Sequence, residues 1–533
     1  MSKTPTSVLF LWHMHQPCYK SPNENKYLLP WVRLHTVKDY FGFLSLLSGY
    51  PKIKADFNFS PVLLDQIIDY AENKPEDTFL TLSLKKPAGL SEKEKKFILS
   101  NFFRVNPRQM ILPYKQYAKL YQKSLNSRPE SFTDREIFDI QVYFNLVWFH
   151  FTSIEEDKNL RQLFKKGKYF SEEDKEYIVN KQQEIIAKTI PLYRELQESG
   201  RIEISVSPYY HPIIPLLCDT DILKAYPYLS IPERRFRHPE DALWQIEQAK
   251  KRAEGIFSRE IQGSWPSEGS VSEETIGLYK KAGFNWIVTD EDILLKTVYT
   301  DRNFTSGKAS RQIIHQPYKF RDLTLLFRDK NLSNALSFVY HSWQDLTYAG
   351  KDIINNFKKT DEFLSSVYKN KHILIAMDGE NAWEYYENNA KRLFTTLYSQ
   401  LEKDKSLKSQ TISEYLKNKE IKSVHKPIWP GSWINSDFGV WAGNAENNRN
   451  WKLLEEIKQT LEDKTIPHEN REEAVRLLRI IEGSDWNWWN TYNDGSGDFR
   501  RIFLLYISEI SRLLSRDFLN KVNPVREPRS LRG

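Results

Sequence analysis

The sequence predicts an α/β protein built on a (β/α)7 barrel, a distorted relative of the eight-stranded kind, with a helical insertion and an α-helical C-terminal region. Three observations carry this prediction. Short apolar runs of strand length recur; amphipathic helical stretches follow most of them; and beyond about residue 420 the alternation stops and helical patterns continue alone. At 533 residues the chain exceeds what one hydrophobic core usually supports. The expected division is therefore a barrel domain over 1–420, interrupted by the insertion at about 73–200, and a helical domain over 421–533 packed upon it.

The expected strands are Ser7 to Trp12, Ala55 to Phe59, Glu203 to Ser207, Ile261 to Trp265, Asn285 to Thr289, Thr324 to Phe327 and His372 to Met377. Several are continuously apolar, as a parallel strand buried on both faces requires. Ser270-Val271-Ser272-Glu273 reads as a capping box, and the helix it opens should stop at Ala282-Gly283, where glycine takes the left-handed position. Asn73 to Gly200 is too long for a loop and carries charged helical segments such as Ser171 to Ser199. The terminal helices are expected over Asn447 to Glu462, His468 to Glu482 and Phe499 to Leu519.

Composition excludes several classes. With 40% hydrophobic and 28% charged residues, disordered, collagenous and membrane proteins fit poorly. The first apolar run, Val8 to Trp12, is too short for a signal peptide or a bilayer span. Cys18 and Cys218 make no disulfide framework and no CxxC metal motif, so a reducing cytoplasm is expected. The net charge of +7 is spread along the chain except in the tail Val525 to Arg532, which reads as frayed and solvated, so nucleic acid is not an expected partner. The 14% of aromatic residues, among them 15 Trp and 28 Tyr, suits either a large core or stacking against sugar faces.

A β/α barrel builds its site on the loops leaving the C-terminal strand ends. Six exits are polar: His13-Met14-His15-Gln16-Pro17, Ser207 to Pro212, Trp265 to Gly269, Asp290-Glu291-Asp292, Arg328-Asp329 and Asp378-Gly379-Glu380-Asn381. Only the second strand's exit does not stand out. Glycosidic bond cleavage needs two carboxyl groups, one of them with a raised pKa, and Glu268 and Asp378 follow their strands directly. Glu273 and Glu274 fall in a first helical turn, where they favour the helix dipole. Glu380 stays open as a supporting carboxylate or as the acid itself. Trp265 and Pro266 beside Glu268, and Asn381 and Trp383 beside Asp378, offer the apolar walls and hydrogen bonds that tune carboxyl groups.

The same residues carry a family resemblance. His-x-His-Gln-Pro at 13–17, Tyr-Tyr-His-Pro at 209–212, Trp-Pro-Ser-Glu-Gly at 265–269 and Met-Asp-Gly-Glu-Asn at 377–381 resemble, in order, four signature regions of glycoside hydrolase family 57. Gly483 to Trp489 resembles the fifth, and Phe57 to Pro61 and Gly431 to Ile434 are secondary matches. The spelling is most similar to the α-amylase and amylopullulanase-like members. The resemblance implies a retaining double displacement on α-1,4-linked glucans such as starch, glycogen or maltooligosaccharides, with α-1,6 linkages also open. It implies Glu268 as nucleophile, Asp378 as general acid/base, and no cofactor. The sugar would be held or walled by His13, His15, Gln16, Tyr210, His211, Trp265, Trp383, Trp433, Asp485 and Trp486. After Trp488-Trp489 the chain reads Asn490 to Gly495, where the family often has Tyr-Gly-Asp-Asp-His; the departure touches subsite shape.

Alternatives stand beside this reading. A 4-α-glucanotransferase, a branching enzyme and an α-galactosidase are open within the family. His13 and His15 point the same way from one strand, so a zinc hydrolase recruiting His211 and Asp292 is a second class. Trp429, Trp433, Trp441, Trp486, Trp488 and Trp489 could also serve a glucan-binding protein without catalysis, although core packing is the ordinary role of any one of them.

Overall fold

The computed structural model describes residues 4–299, 311–368, 370–493 and 495–522. The tail Val525 to Arg532, read from sequence as frayed and solvated, lies outside the described residues, as do Asp494 and the side chain of Asn381. Seven parallel strands form the expected barrel: β1 (Thr6–Met14), β2 (Ala55–Phe59), β3 (Ile202–Val206), β4 (Gly263–Ser264), β5 (Trp286–Asp290), β6 (Leu323–Arg328) and β7 (His372–Asp378). They pair in the order β7-β1-β2-β3-β4-β5-β6. The apolar runs are buried on both sides, as their composition predicts. Leu9 and Leu11 point inward with Trp286, Val288, Leu326, Leu374 and Ala376, while Val8, Phe10 and Trp12 face the surrounding helices.

Two details differ from expectation. The fourth strand is two residues long rather than five. Pro266 lacks a donor for the ladder, and Gly263 lies so close to the Trp286 indole that a Cβ would sit 2.0 Å from it. The barrel also closes unevenly: among the described residues β6 and β7 share no ladder. Their seam is held by the Asp329 N–H on the Leu374 carbonyl (2.8 Å), the Ala376 N–H on Ser333 Oγ (3.2 Å) and the Arg328 guanidinium on the Ala376 carbonyl (3.2 Å). A short helix, Ile412–Leu416, closes the far mouth, with Ile412 and Tyr415 in the barrel core and Asp56 accepting from the Ile412 amide.

The interval after β2 is helical. It includes α1 (Pro61–Glu72), α2 (Asp134–Leu146) and the long α3 (Glu172–Glu198), whose start is fixed by a capping box between Ser171 and Asp174. α4 (Pro239–Phe257) follows β3. α5 (Glu273–Lys281) ends at Ala282-Gly283 as expected, but its capping box joins Ser272 and Thr275, not Ser270 and Glu273. The C-terminal helices are α6 (Ala445–Leu461), α7 (His468–Ile481), α8 (Ser484–Tyr492) and α9 (Asp498–Leu514). The last stops short of the expected Leu519 because Ser515 turns left-handed. No helix among the described residues is long and apolar enough to cross a membrane.

Candidate active site

Strand register assembles the site floor. Asp378, His13, Asn58 and Ser205 lie side by side on β7, β1, β2 and β3. His13 Nδ1 donates to Asn58 Oδ1 (2.7 Å), while the Asn58 amide donates to Ser205 Oγ (3.1 Å). Burial, helped by the nearby His15, pushes the His13 pKa down to about 3, so the ring is neutral with Nε2 as acceptor. His15 is held at three points: its N–H donates to Glu380 Oε1 (2.8 Å), Nδ1 meets Ser60 Oγ (2.7 Å) and Nε2 meets Asp485 Oδ2 (3.0 Å).

His211 completes a stack of imidazoles. It sits in the left-handed region (φ 60°), with Nδ1 2.9 Å from Ser484 Oγ, so α8 fixes its ring. Its centroid lies 3.9 Å from that of His15 and 5.0 Å from that of His13, at interplanar angles of 18° and 20°. A metal ion bound by two imidazoles must lie near both ring planes. Planes stacked this way do not meet at a common ligand point, so the His15, His211 and Asp485 cluster is poorly shaped to chelate one ion through both rings. The buried Nε2 of His211 finds no partner among the described residues. Burial holds this ring neutral as well.

Glu268 also adopts a left-handed conformation (φ 57°, ψ 25°), which costs a residue of this type about 1–3 kcal/mol. Trp433 holds it there from two directions. The Trp433 amide donates to the Glu268 carbonyl (2.9 Å) and its indole donates to Glu268 Oε2 (2.7 Å). Oε1 is 3.9 Å from His211 Nδ1. Burial, with the charge of Asp378 added, raises the Glu268 pKa to about 8; the Trp433 hydrogen bond works against the rise.

Asp378 ends β7, and its loop crosses β1 so closely that a Cβ at Gly379 would lie 2.2 Å from Met14 Sδ. Burial raises its pKa to about 6, opposed by Arg328 and His15. Arg328 donates to the buried Asp290 (2.6 Å) and lies over the Trp433 ring at 4.8 Å. One strand-end network thus reaches both carboxyl groups. Glu380 is buried, and its Oε1 accepts from Tyr40 Oη and the His15 N–H, both at 2.8 Å. It anchors the His15 loop, and burial raises its pKa well above the usual range. The ordering of the catalytic candidates is the reverse of the simplest expectation, because Glu268 holds its proton to higher pH than Asp378.

These groups open onto a cleft of about 620 Å³. Of the residues expected at the site, His13, His15, Gln16, His211, Glu268, Asp378, Trp433 and Asp485 line it. Four other predicted contacts lie elsewhere. Trp265 is fully buried in the barrel core against Trp433, and Trp383 is fully buried against Trp12 and Phe43. Trp486 donates to the Ile480 carbonyl and packs on Phe503 and Tyr506, while its helix neighbours Trp488 and Trp489 face the cleft. Tyr210 leans on Trp244, outside the lining.

Sequence reasoning noted Asn58 and Ser60 only within the secondary match Phe57 to Pro61 and gave them no role, since a half-polar strand among apolar ones carries no catalytic signature. It also missed Ser484, Tyr40 and the role of Arg328. Arg104 and Trp148 bring the insertion into the cleft wall, beside Trp31 and His35 from the connection between β1 and β2, and no local pattern marks them.

No curated protein matches the sequence. The profile described as Glycosyl hydrolase family 57 matches residues 9–426. Among solved structures, the chain is similar to a branching enzyme of that type from Pyrococcus horikoshii, with a TM-score of 0.63, 15% identity and coverage of 97% of this chain and 94% of the other. It is similar to a branching enzyme from Thermococcus kodakaraensis (TM-score 0.61, 15% identity, 98% and 95%) and to the α-amylase AmyC from Thermotoga maritima (0.56, 12%, 98% and 100%). With a match over more than three quarters of its length, and this barrel beneath it, the chain belongs to glycosyl hydrolase family 57.

Proposed function

We propose that the protein is a retaining glycoside hydrolase that cleaves α-1,4-linked glucans by double displacement, with Glu268 as nucleophile and Asp378 as general acid/base. The observation that carries the reading is the pairing of two carboxyl groups across one cleft, each raised by burial, with the charge of Asp378 raising Glu268 further. Between about pH 6 and 8 such a pair keeps one proton and one negative charge, the combination that attack and leaving-group protonation together require.

Before sugar binds, the shared proton favours Glu268. A bound sugar changes that preference, because positive charge developing at the anomeric carbon stabilises the carboxylate that faces it. Glu268 Oε2 is occupied by Trp433, so Oε1 is the oxygen that attacks. The glycosidic C–O bond breaks as the Glu268 ester forms, and the proton of Asp378 passes to the leaving oxygen. In the second step water gives its proton to Asp378 and its oxygen to the anomeric carbon, which releases Glu268. The unpartnered His211 Nε2 and the acceptor Nε2 of His13 supply hydrogen bonds for sugar hydroxyls.

The second reading is transfer of the glycosyl group to another glucan, the activity that the two branching-enzyme names describe for those proteins. It draws on the cleft wall formed by Arg104 and Trp148 of the insertion and by Trp488 and Trp489 of the C-terminal helices, a seat for a sugar acceptor. Chromatography of products from maltooligosaccharides separates the two: shorter chains alone mean hydrolysis, and longer chains mean transfer. Proton NMR of the first product decides the stereochemistry. An α-anomer is expected, and a β-anomer overturns the double displacement.

A further inference from the structure

The cleft contains a second buried polar centre that the two-carboxylate chemistry does not use. A π-helical turn, Thr36–Tyr40, carries it, and such turns recur at functional sites. Asp39, 1% exposed, accepts from Lys38 Nζ (2.7 Å) and from His35 Nδ1 (2.6 Å). The Lys38 and Asp39 charges offset one another inside the protein. The His35 ring is left fixed in one orientation, with Nδ1 donating to Asp39. His35 is itself more than nine-tenths buried and lines the cleft. Among the described residues nothing bonds its Nε2. Trp148 packs edge-on against the ring, with centroids 5.1 Å apart.

The turn also tells which side of the cleft this centre occupies. Its last residue, Tyr40, donates to Glu380, two positions beyond Asp378. That bond ties the turn, which His35 caps at its start, to the loop that carries the acid. In a double displacement the acid protonates the leaving sugar, and the same space then receives the attacking hydroxyl. We propose that His35, oriented by Asp39 and Lys38, is a binding residue of the leaving-group and acceptor subsite, where its Nε2 hydrogen-bonds a glucose hydroxyl. The inference rests on the glucan reading of the preceding section and adds a direction to it. Glucosyl units on the acid side of the cut lie against the connection between β1 and β2, where His35 packs on Trp148 of the insertion.

The test uses the full chain with α-maltosyl fluoride as donor, whose fluoride leaving group needs no sugar subsite, and maltotriose as acceptor. Fluoride release measures the first step, and the dependence of transfer on maltotriose concentration measures the acceptor site. His35→Ala is expected to raise the half-saturating maltotriose concentration about tenfold, with a far smaller effect on fluoride release into water. His35→Gln, which keeps a side chain able to hydrogen-bond a hydroxyl, is expected to recover part of the loss and serves as the second variant should His35→Ala not fold. An unchanged acceptor dependence in either folded variant overturns the proposal. A wild-type protein that releases no fluoride overturns the glucan reading and this inference together, whereas normal release with an unaltered acceptor curve overturns the inference alone.

Discussion

Trp433 grips Glu268 twice, through its amide to the backbone carbonyl at 2.9 Å and through its indole to Oε2 at 2.7 Å. The first bond holds a left-handed turn and the second favours the charged carboxylate. Trp433→Phe keeps the first and removes the second. A hydrogen bond to a charged group is worth about 1.5–3 kcal/mol, so kcat/KM is expected to fall roughly ten- to a hundredfold. The alkaline limb of the pH profile should move upward, because the group loses an interaction that lowered its pKa. A loss of stability with an unmoved limb would make Trp433 a packing residue only.

The pair itself sets the profile. Below about pH 6 both carboxyl groups are protonated and no nucleophile exists; above about pH 8 both are ionised and no acid remains. A plot of kcat/KM against pH is therefore expected to be bell-shaped, with limbs near 6 and 8 that belong to the pair. Asp378→Asn removes the like charge, so Glu268 should titrate below about 8 in that variant. Fluoride release from α-maltosyl fluoride, which needs no acid, reads this as a single limb shifted downward.

Arg328 lowers the Asp378 pKa and also neutralises the fully buried Asp290. Arg328→Met should cost about 3–5 kcal/mol of stability, since it leaves an uncompensated buried charge. It should also raise the acid limb above about pH 6. Denaturant unfolding and the pH profile check the two effects separately, and Arg328→Lys is expected to preserve most of the second.

The two ends of one tryptophan motif should behave differently. Trp486→Ala empties a packed site between α7 and α9, with an expected cost of about 3–5 kcal/mol. Trp488→Ala trims a half-buried ring on the cleft and should raise KM for maltooligosaccharides severalfold with little change in unfolding midpoint. Calorimetry together with steady-state kinetics distinguishes them.

The barrel was legible because its strands are buried on both faces, which writes them as continuous apolar runs. Glu268 and Asp378 were legible because each follows its run directly. The partners were not. Asn58 points inward from a strand whose exit carries no cluster of charge, and Ser484 reaches His211 across 273 residues of chain. The tryptophans show the limit most clearly. Trp265 and Trp486 stand in the right motifs and Trp383 just beyond one, but a sequence does not record which face of a ring is covered, and all three are buried. His35 enters the cleft from the connection between β1 and β2, and Trp148 from the insertion that packs against it.

The central claim is that Glu268, not Asp378 or Glu380, forms the bond to sugar. A 5-fluoro glycosyl fluoride of α-glucose slows the second step and traps the ester, and mass spectrometry of the digested protein locates it. The account predicts the label on Glu268, lost in Glu268→Gln. Label on Asp378 or Glu380, or turnover without any covalent intermediate, would contradict it.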